Sequence, residues 1–214
     1  MGFDRDEAVR LNEAHWMEVR RGRKDWGERC PERMLRRDRE DERAMCEMML
    51  EMEDLRDWMG SGERCKRVLD VGCGEGRARG ELLRRFGGEY FGIELLEGKG
   101  GGEGVHRYAL EEVPEEWGGL FDVIWANHVM EHCLDAVEGM GRIGTLLAPV
   151  GIFGMVVPGL LDDVEPAHVS VMGSEDWLRV MRGAGLVPLH VRWLRRGIVE
   201  LRIIAVRRED YPRG

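Results

Sequence analysis

The sequence lacks the features that would place the chain in a membrane or make it a secreted, disulfide-bonded protein. No run of about 18 apolar residues occurs, so no membrane-spanning helix is expected. The N-terminal stretch MGFDRDEAVR contains no apolar signal-peptide core. The 5 cysteines are odd in number and form no CxxC pair, which speaks against a disulfide framework and a structural zinc site. We therefore expect a cytoplasmic protein.

Lysine is also scarce, because 29 of the 32 basic residues are arginine. The formal net charge is −9, which argues against a partner such as duplex DNA or RNA, since proteins that bind these normally show a basic footprint. The basic residues concentrate near the C-terminus, at Arg192, Arg195, Arg196, Arg202, Arg207 and Arg208. A solvated edge of the sheet accounts for this group, and RNA binding is the alternative.

The chain changes character near residues 60–62. Before this point it is charged and rich in methionine, and an apolar stripe with helical spacing predicts a helix that begins near Pro31 and ends near Gly60. The stripe consists of Met45, Met48, Met49, Met52, Leu55 and Met59. We predict that residues 1–60 form two helices, an N-terminal extension or lid that packs on a main domain of residues 61–214.

From Arg67 onward, short apolar runs alternate with helical patterns, which predicts a parallel sheet covered on both faces. Ser174 is expected to cap the last helix. Two final apolar runs are separated by only three residues, so we expect them to pair as an antiparallel hairpin. The predicted strands are 67–71, 90–95, 105–108, 121–126, 151–157, 186–193 and 197–206.

A glycine-rich turn joins the first predicted strand to the next helix, with the sequence Asp70-Val-Gly-Cys-Gly-Glu-Gly76. Glycines let the backbone approach a ligand closely, and the helix N-terminus offers free N–H donors. The dinucleotide pattern G-x-G-x-x-G, started at Gly72, would need a glycine at position 77, where Arg77 stands. The spacing therefore disfavours a dinucleotide. Glu94 ends the second strand, where a carboxylate can accept both hydroxyls of a ribose.

These residues resemble the first motif, D/E-x-G-x-G-x-G, of the class I S-adenosylmethionine (SAM)-dependent methyltransferases. FDVIWANHVMEH (121–132), LLAPVGIFGMVVP (146–158) and the stretch that starts at His168 are similar to segments of the type 11-like members, so the resemblance covers about residues 66–207. It implies a Rossmann-like α/β fold: a seven-stranded, mostly parallel, doubly wound sheet with an antiparallel C-terminal hairpin and its last strand beside the fifth.

The same resemblance implies SAM as the cofactor. Asp70 would orient the glycine turn and favour the cationic methionine end, Glu94 would bind the ribose, and Leu95 would pack beside the adenine. The third strand is not followed by the acid that the family often has there, so backbone groups of Ala109 and Leu110 would serve, or Glu111 would substitute. The implied cofactor-binding residues are Asp70, Gly72, Cys73, Gly74, Gly76, Glu94, Leu95, Ala109, Leu110, Asn127 and His128.

The candidate catalytic residues are His132 and His168. His132 follows the fourth strand and could act as a base oriented by Glu131 or Asp135, although a packing role is the simpler interpretation. His168 follows the fifth strand, near acids at positions 162, 163 and 165 that could help to bind a metal. A solvated acidic loop explains these acids better, so no metal site is predicted.

The sequence therefore predicts an enzyme that transfers a methyl group from SAM to an oxygen, nitrogen or carbon atom of a small-molecule acceptor. Three alternatives stay open: an RNA methyltransferase, a non-catalytic SAM-binding module and an NAD-dependent oxidoreductase. The sequence identifies neither the acceptor nor the oligomeric state.

Overall fold

The computed structural model describes residues 31–58, 65–95, 102–159, 168–170, 172–196 and 198–211. The part of the predicted extension that precedes Pro31 lies outside these ranges. Among the described residues, no helix combines the length and the apolar character needed to cross a bilayer.

Seven strands form one sheet in the order β3-β2-β1-β4-β5-β7-β6. The first five are parallel to one another, and β7 runs antiparallel between β5 and β6. The predicted fold class, including the antiparallel last strand beside the fifth, is confirmed. The strand bounds are β1 Arg67–Val71, β2 Glu89–Ile93, β3 Val105–His106, β4 Phe121–Asn127, β5 Leu147–Pro158, β6 Leu186–Arg196 and β7 Ile198–Arg207.

Within the described residues, four α-helices accompany the sheet: α1 Pro31–Trp58, α2 Arg79–Phe86, α3 Ala136–Leu146 and α4 Ser174–Gly183. The predicted cap at Ser174 is wrong, because the cap position is Gly173 and no side chain caps this helix. At α3 a side chain does cap the helix: the Asp135 carboxylate accepts from the N–H groups of Val137 and Glu138, at 2.8 and 3.1 Å. Asp135 therefore serves as the N-cap of α3.

Each face of the sheet is covered by two of these helices. Met48, Met49 and Met52 of α1 are buried against one face, in a cluster that includes Trp125 of β4 and residues of α2. Residues of α3 and α4 fill the other face: Met140, Ile143, Leu146, Trp177 and Met181. The methionine stripe of α1 is therefore core, as expected for an amphipathic helix whose apolar side faces a sheet.

The burial of Met52 generates a stability prediction. Met52 is fully buried, whereas Leu50, two residues earlier in the same helix, is 46% exposed. We expect Met52→Ala to lower the free energy of unfolding by about 2–5 kcal/mol, because it removes core volume that α1 cannot refill.

Chemical denaturation followed by circular dichroism measures the change. The control variant, Leu50→Ala, removes a side chain of similar size from solvent and should change the free energy of unfolding by only about 0.5 kcal/mol. Equal losses in the two variants would contradict the packing of α1 on the sheet.

Candidate functional site

The glycine turn after β1 adopts a backbone that only glycine takes easily. Gly72, Gly74 and Gly76 have φ angles of +62°, +54° and +73°, in the left-handed region. A Cβ at position 72 would lie 2.5 Å from Cγ2 of Val129, so this glycine is required by packing as well as by its φ angle. A Cβ at position 76 would meet nothing within 4 Å. The turn is therefore packed at its start and open at its end.

Glu94, just after β2, lies against this turn. Its Oε2 accepts a hydrogen bond of 2.9 Å from the N–H of Gly74. Its own N–H donates to the carbonyl oxygen of His106 on β3. The structure thus brings the acid after the second strand next to the glycines after the first, although they are 20 residues apart in sequence. The half-buried Leu95 follows directly.

Asp70 is buried within β1 and accepts a hydrogen bond of 2.8 Å from the hydroxyl of Tyr90 on β2. Burial raises the pKa of Asp70 to about 7; the Tyr90 bond opposes this rise, and the Glu94 charge adds to it. Asp70 is therefore connected to β2 through Tyr90 where β1 leads into the turn, and its expected role in orienting the turn stays a prediction. No sequence motif singles out Tyr90.

Cys73 occupies the middle of the turn and is buried. Burial raises the pKa of its thiol to about 12, so it stays protonated. A Cβ on Gly92 of β2 would lie 2.8 Å from Cys73 Sγ and 3.0 Å from the Tyr90 hydroxyl. Cys73 therefore fills space that Gly92 leaves, which is a packing role.

The remaining residues expected to touch the cofactor follow β3 and β4. Leu110 begins a short 3-10 helix and is buried in the core, so its side chain serves packing; Ala109 precedes it in extended conformation. Asn127 is exposed as the last residue of β4. His128 follows it with a strained φ of +53°.

The imidazole of His128 is held between two carboxylates. Nδ1 lies 3.3 Å from Glu131 Oε1, and Nε2 lies 3.2 Å from Glu200 Oε1. Burial alone would lower the pKa of His128, but the two carboxylates raise it to about 10. His128 therefore carries a positive charge at neutral pH and does not act as a base.

Glu200 connects this histidine to α1. Its Oε2 accepts from Arg202 Nη2 at 2.9 Å, and Arg202 Nη1 donates to the carbonyl oxygen of Ala44 at 2.7 Å. Arg202 is 7% exposed, so the prediction that it belongs to a solvated basic edge is wrong. Sequence reasoning missed this pairing because Glu200 stands in an apolar strand far from the recognised motifs.

The two candidate catalytic histidines lie together. The rings of His132 and His168 are 4.7 Å apart between centroids and inclined by 74°. Glu131 joins them: one ligand atom from each of the three residues falls within 4.8 Å of the others. The acids at 162, 163 and 165 lie outside the described residues.

Comparison with known proteins identifies the family. A family model described as a methyltransferase domain matches residues 34–191. The chain is 31% identical over 123 residues to the ubiquinone biosynthesis O-methyltransferase of Azorhizobium caulinodans, covering 53% of this chain and 47% of that protein. It is 32% identical over 157 residues to the enzyme of the same name from Nitrosococcus oceani, covering 64% of each. The chain thus spans about half to two thirds of the length of these curated relatives.

Among solved structures, the fold is similar to that of the 1,6-didemethyltoxoflavin-N1-methyltransferase of Burkholderia thailandensis. The TM-score is 0.68 at 19% identity, and the match covers 96% of this chain and 91% of that chain. That protein was crystallised with 1,6-didemethyltoxoflavin and S-adenosylhomocysteine. At this identity the likeness shows the fold.

The raised pKa of Asp70 makes stability depend on pH. Its carboxyl titrates near 7 in the folded chain but near the ordinary value of 3.8 when unfolded. Between about pH 4 and 7 the folded chain therefore binds more protons than the unfolded one, and this residue's contribution to the free energy of unfolding falls as pH rises.

We expect Asp70→Asn to remove this dependence, since an amide oxygen still accepts from Tyr90 but carries no charge. Relative to wild type, the free energy of unfolding of the variant should be higher at pH 8 than at pH 5, by on the order of a few kcal/mol. Urea denaturation of both proteins at both pH values measures it. If the unfolding free energies of variant and wild type differ by the same amount at pH 5 and at pH 8, Asp70 has the same pKa in the folded and the unfolded chain.

Proposed function

The chain belongs to the methyltransferase domain family, and we propose that it transfers a methyl group from SAM to an oxygen, nitrogen or carbon atom of a small molecule. The observation that carries the proposal is the position of Glu94. Its carboxylate lies 2.9 Å from the Gly74 N–H, at the carboxyl ends of β1 and β2. Ligands of doubly wound sheets bind outside these strand ends, where the strand order reverses.

The residues present fit SAM. Glu94 offers a half-buried carboxylate to a ribose, and Gly76 offers open space above the turn for a chain without phosphates. Asp70 lies beneath the turn, where a neighbouring cation would favour its ionised form. When bound, SAM supplies a methyl group activated by a sulfonium; the chain's residues need to orient the acceptor and keep water out.

His132 is the residue that we propose as a base when the acceptor must lose a proton. It follows β4 on the same edge of the sheet, and Glu131 lies beside it. His128 is unsuited because its imidazole is already protonated between Glu131 and Glu200. His168, on the segment after β5, is the second candidate.

The arginines near the C-terminus favour a small acceptor over RNA. Arg192 pairs with Glu51 at 2.9 Å, and Arg207 pairs with Asp210 at 2.8 Å. Arg202 is buried against Glu200. Because these guanidinium groups are already engaged with carboxylates, they offer RNA phosphates a weaker basic surface than the sequence indicates.

Calorimetric titration tests the cofactor assignment with S-adenosylhomocysteine and NAD as separate ligands. Binding of the first and not the second supports the proposal, whereas the reverse favours an oxidoreductase. Transfer of a labelled methyl group to a panel of small phenols and amines then tests catalysis. Binding without transfer to any acceptor, RNA included, would favour the non-catalytic module.

Glu94 gives the sharpest prediction for cofactor affinity. A hydrogen bond to a charged group contributes about 1.5–3 kcal/mol, so Glu94→Ala should weaken the binding of S-adenosylhomocysteine by about 10- to 100-fold. Glu94→Gln should lose less of this affinity, because one acceptor oxygen remains. Calorimetric dissociation constants measure both effects.

The matched control is Glu89→Ala, which removes an exposed carboxylate at the other end of β2. It should leave the affinity unchanged. Melting temperatures of all three variants show whether the turn survives. If Glu94→Ala binds as tightly as Glu89→Ala, the ribose is held by another group.

A further inference from the structure

Three side chains on two segments of the same sheet edge have the donor set of a metal site. We propose that Glu131, His132 and His168 bind one divalent transition-metal ion of the zinc or cobalt type. Each residue offers one ligand atom, and the three atoms all lie within 4.8 Å of one another. The two histidine rings are half-buried and in edge contact.

The strongest indication is the state of Glu131. It is 1% exposed, and both its carboxylate oxygens are buried without a hydrogen bond from any residue that the structure describes. Its contact with His128 is an ion pair of 3.3 Å. Burying a carboxylate without hydrogen bonds is costly, and one ion pair leaves most of its lone pairs unused. A bound cation would use them.

The backbone holds the two segments together. The N–H of Ser170 donates to the carbonyl oxygen of Glu131 at 3.0 Å, and the Ser170 hydroxyl donates to that of Cys133 at 2.7 Å. These bonds hold residues 168–170 against the short helical turn Met130–His132. The three ligands therefore come from a framework that exists without the metal.

Rotation of the side chains can bring the three ligand atoms close enough to coordinate one ion. Ligand atoms at about 2.0–2.1 Å from a tetrahedral zinc lie roughly 3.4 Å apart. The ligand atoms here would have to approach one another by at most about 1.4 Å, which half-buried imidazoles can do by a change in χ angles.

The donor set selects the kind of metal. Two imidazoles and one carboxylate suit Zn²⁺, Co²⁺ or Fe²⁺. Mg²⁺ prefers oxygen ligands in an octahedral arrangement, and only one of these three residues supplies oxygen. Along the sequence His168 stands near acidic residues, whereas the fold places it beside Glu131 and His132.

Three protein ligands leave a coordination position open, as in catalytic zinc sites. An acceptor hydroxyl bound there would release its proton to solvent more readily, because the cation lowers its pKa. With the metal bound, His132 is a ligand and this effect replaces its role as the base. This effect on an acceptor rests on the proposed function, whereas metal binding itself does not.

Metal titration of the full chain, stripped with EDTA, tests the proposal. We expect wild type to bind one Co²⁺ with visible d–d bands, and Zn²⁺ to displace it. His168→Ala should weaken Co²⁺ binding by at least about tenfold, since even residues that only orient metal ligands contribute that much. Glu131→Gln should also weaken it, but a buried residue can affect folding, so the His168 variant decides.

His190→Ala is the matched control, because His190 is a half-buried histidine on β6 that pairs with Glu51 away from the site. It should bind Co²⁺ as wild type does. Equal affinity in the His168 and His190 variants would overturn the proposal, as would a thiolate-to-cobalt band or Mg²⁺ binding as tight as that of Zn²⁺.

Calorimetry with S-adenosylhomocysteine on the stripped protein separates this proposal from the proposed function. We expect unchanged cofactor binding in the stripped wild type and in His168→Ala. Metal binding without cofactor binding would overturn the methyltransferase assignment alone, and the converse would overturn the metal site alone.

Discussion

The close packing of the glycine turn after β1 is the constraint on which the rest of the site depends. Gly72 leaves no room for a side chain because Val129, which follows β4, fills that space. Gly92 of β2 likewise leaves room only for Cys73 and the Tyr90 hydroxyl. The carboxyl ends of β1, β2 and β4 are therefore held at fixed distances, and the N–H of Gly74 meets Glu94 as a result.

A second constraint comes from buried charge. Glu200, Arg202 and His128 are largely removed from water, so each must find an opposite charge or a hydrogen bond. Arg202 satisfies Glu200 and also holds the Ala44 carbonyl of α1. Helix α1 is thus connected, through one arginine and one carboxylate, to the histidine at the end of β4. A buried salt bridge contributes little net stability, because the cost of removing both charges from water offsets their attraction.

Much of the fold could be predicted because its signals are local. Apolar runs predicted the strands to within a few residues, and the methionine stripe predicted the buried face of α1. The predictions were wrong where contacts with residues distant in the sequence determine burial or strand length. Arg202 looked like a solvated residue of a basic hairpin, but α1 covers it. The apolar run predicts that β5 begins at residue 151, whereas pairing with β4 extends it back to Leu147.

The sequence alone determined the order of strands and helices, the glycine turn and the acid after β2, since spacing along the chain carries these features. Which charged groups meet depends on the tertiary fold. His128 and Glu200 are 72 residues apart, and Glu131 and His168 come from segments after different strands. Their approach depends on which strands are neighbours and on how the following turns pack, and no local periodicity encodes either.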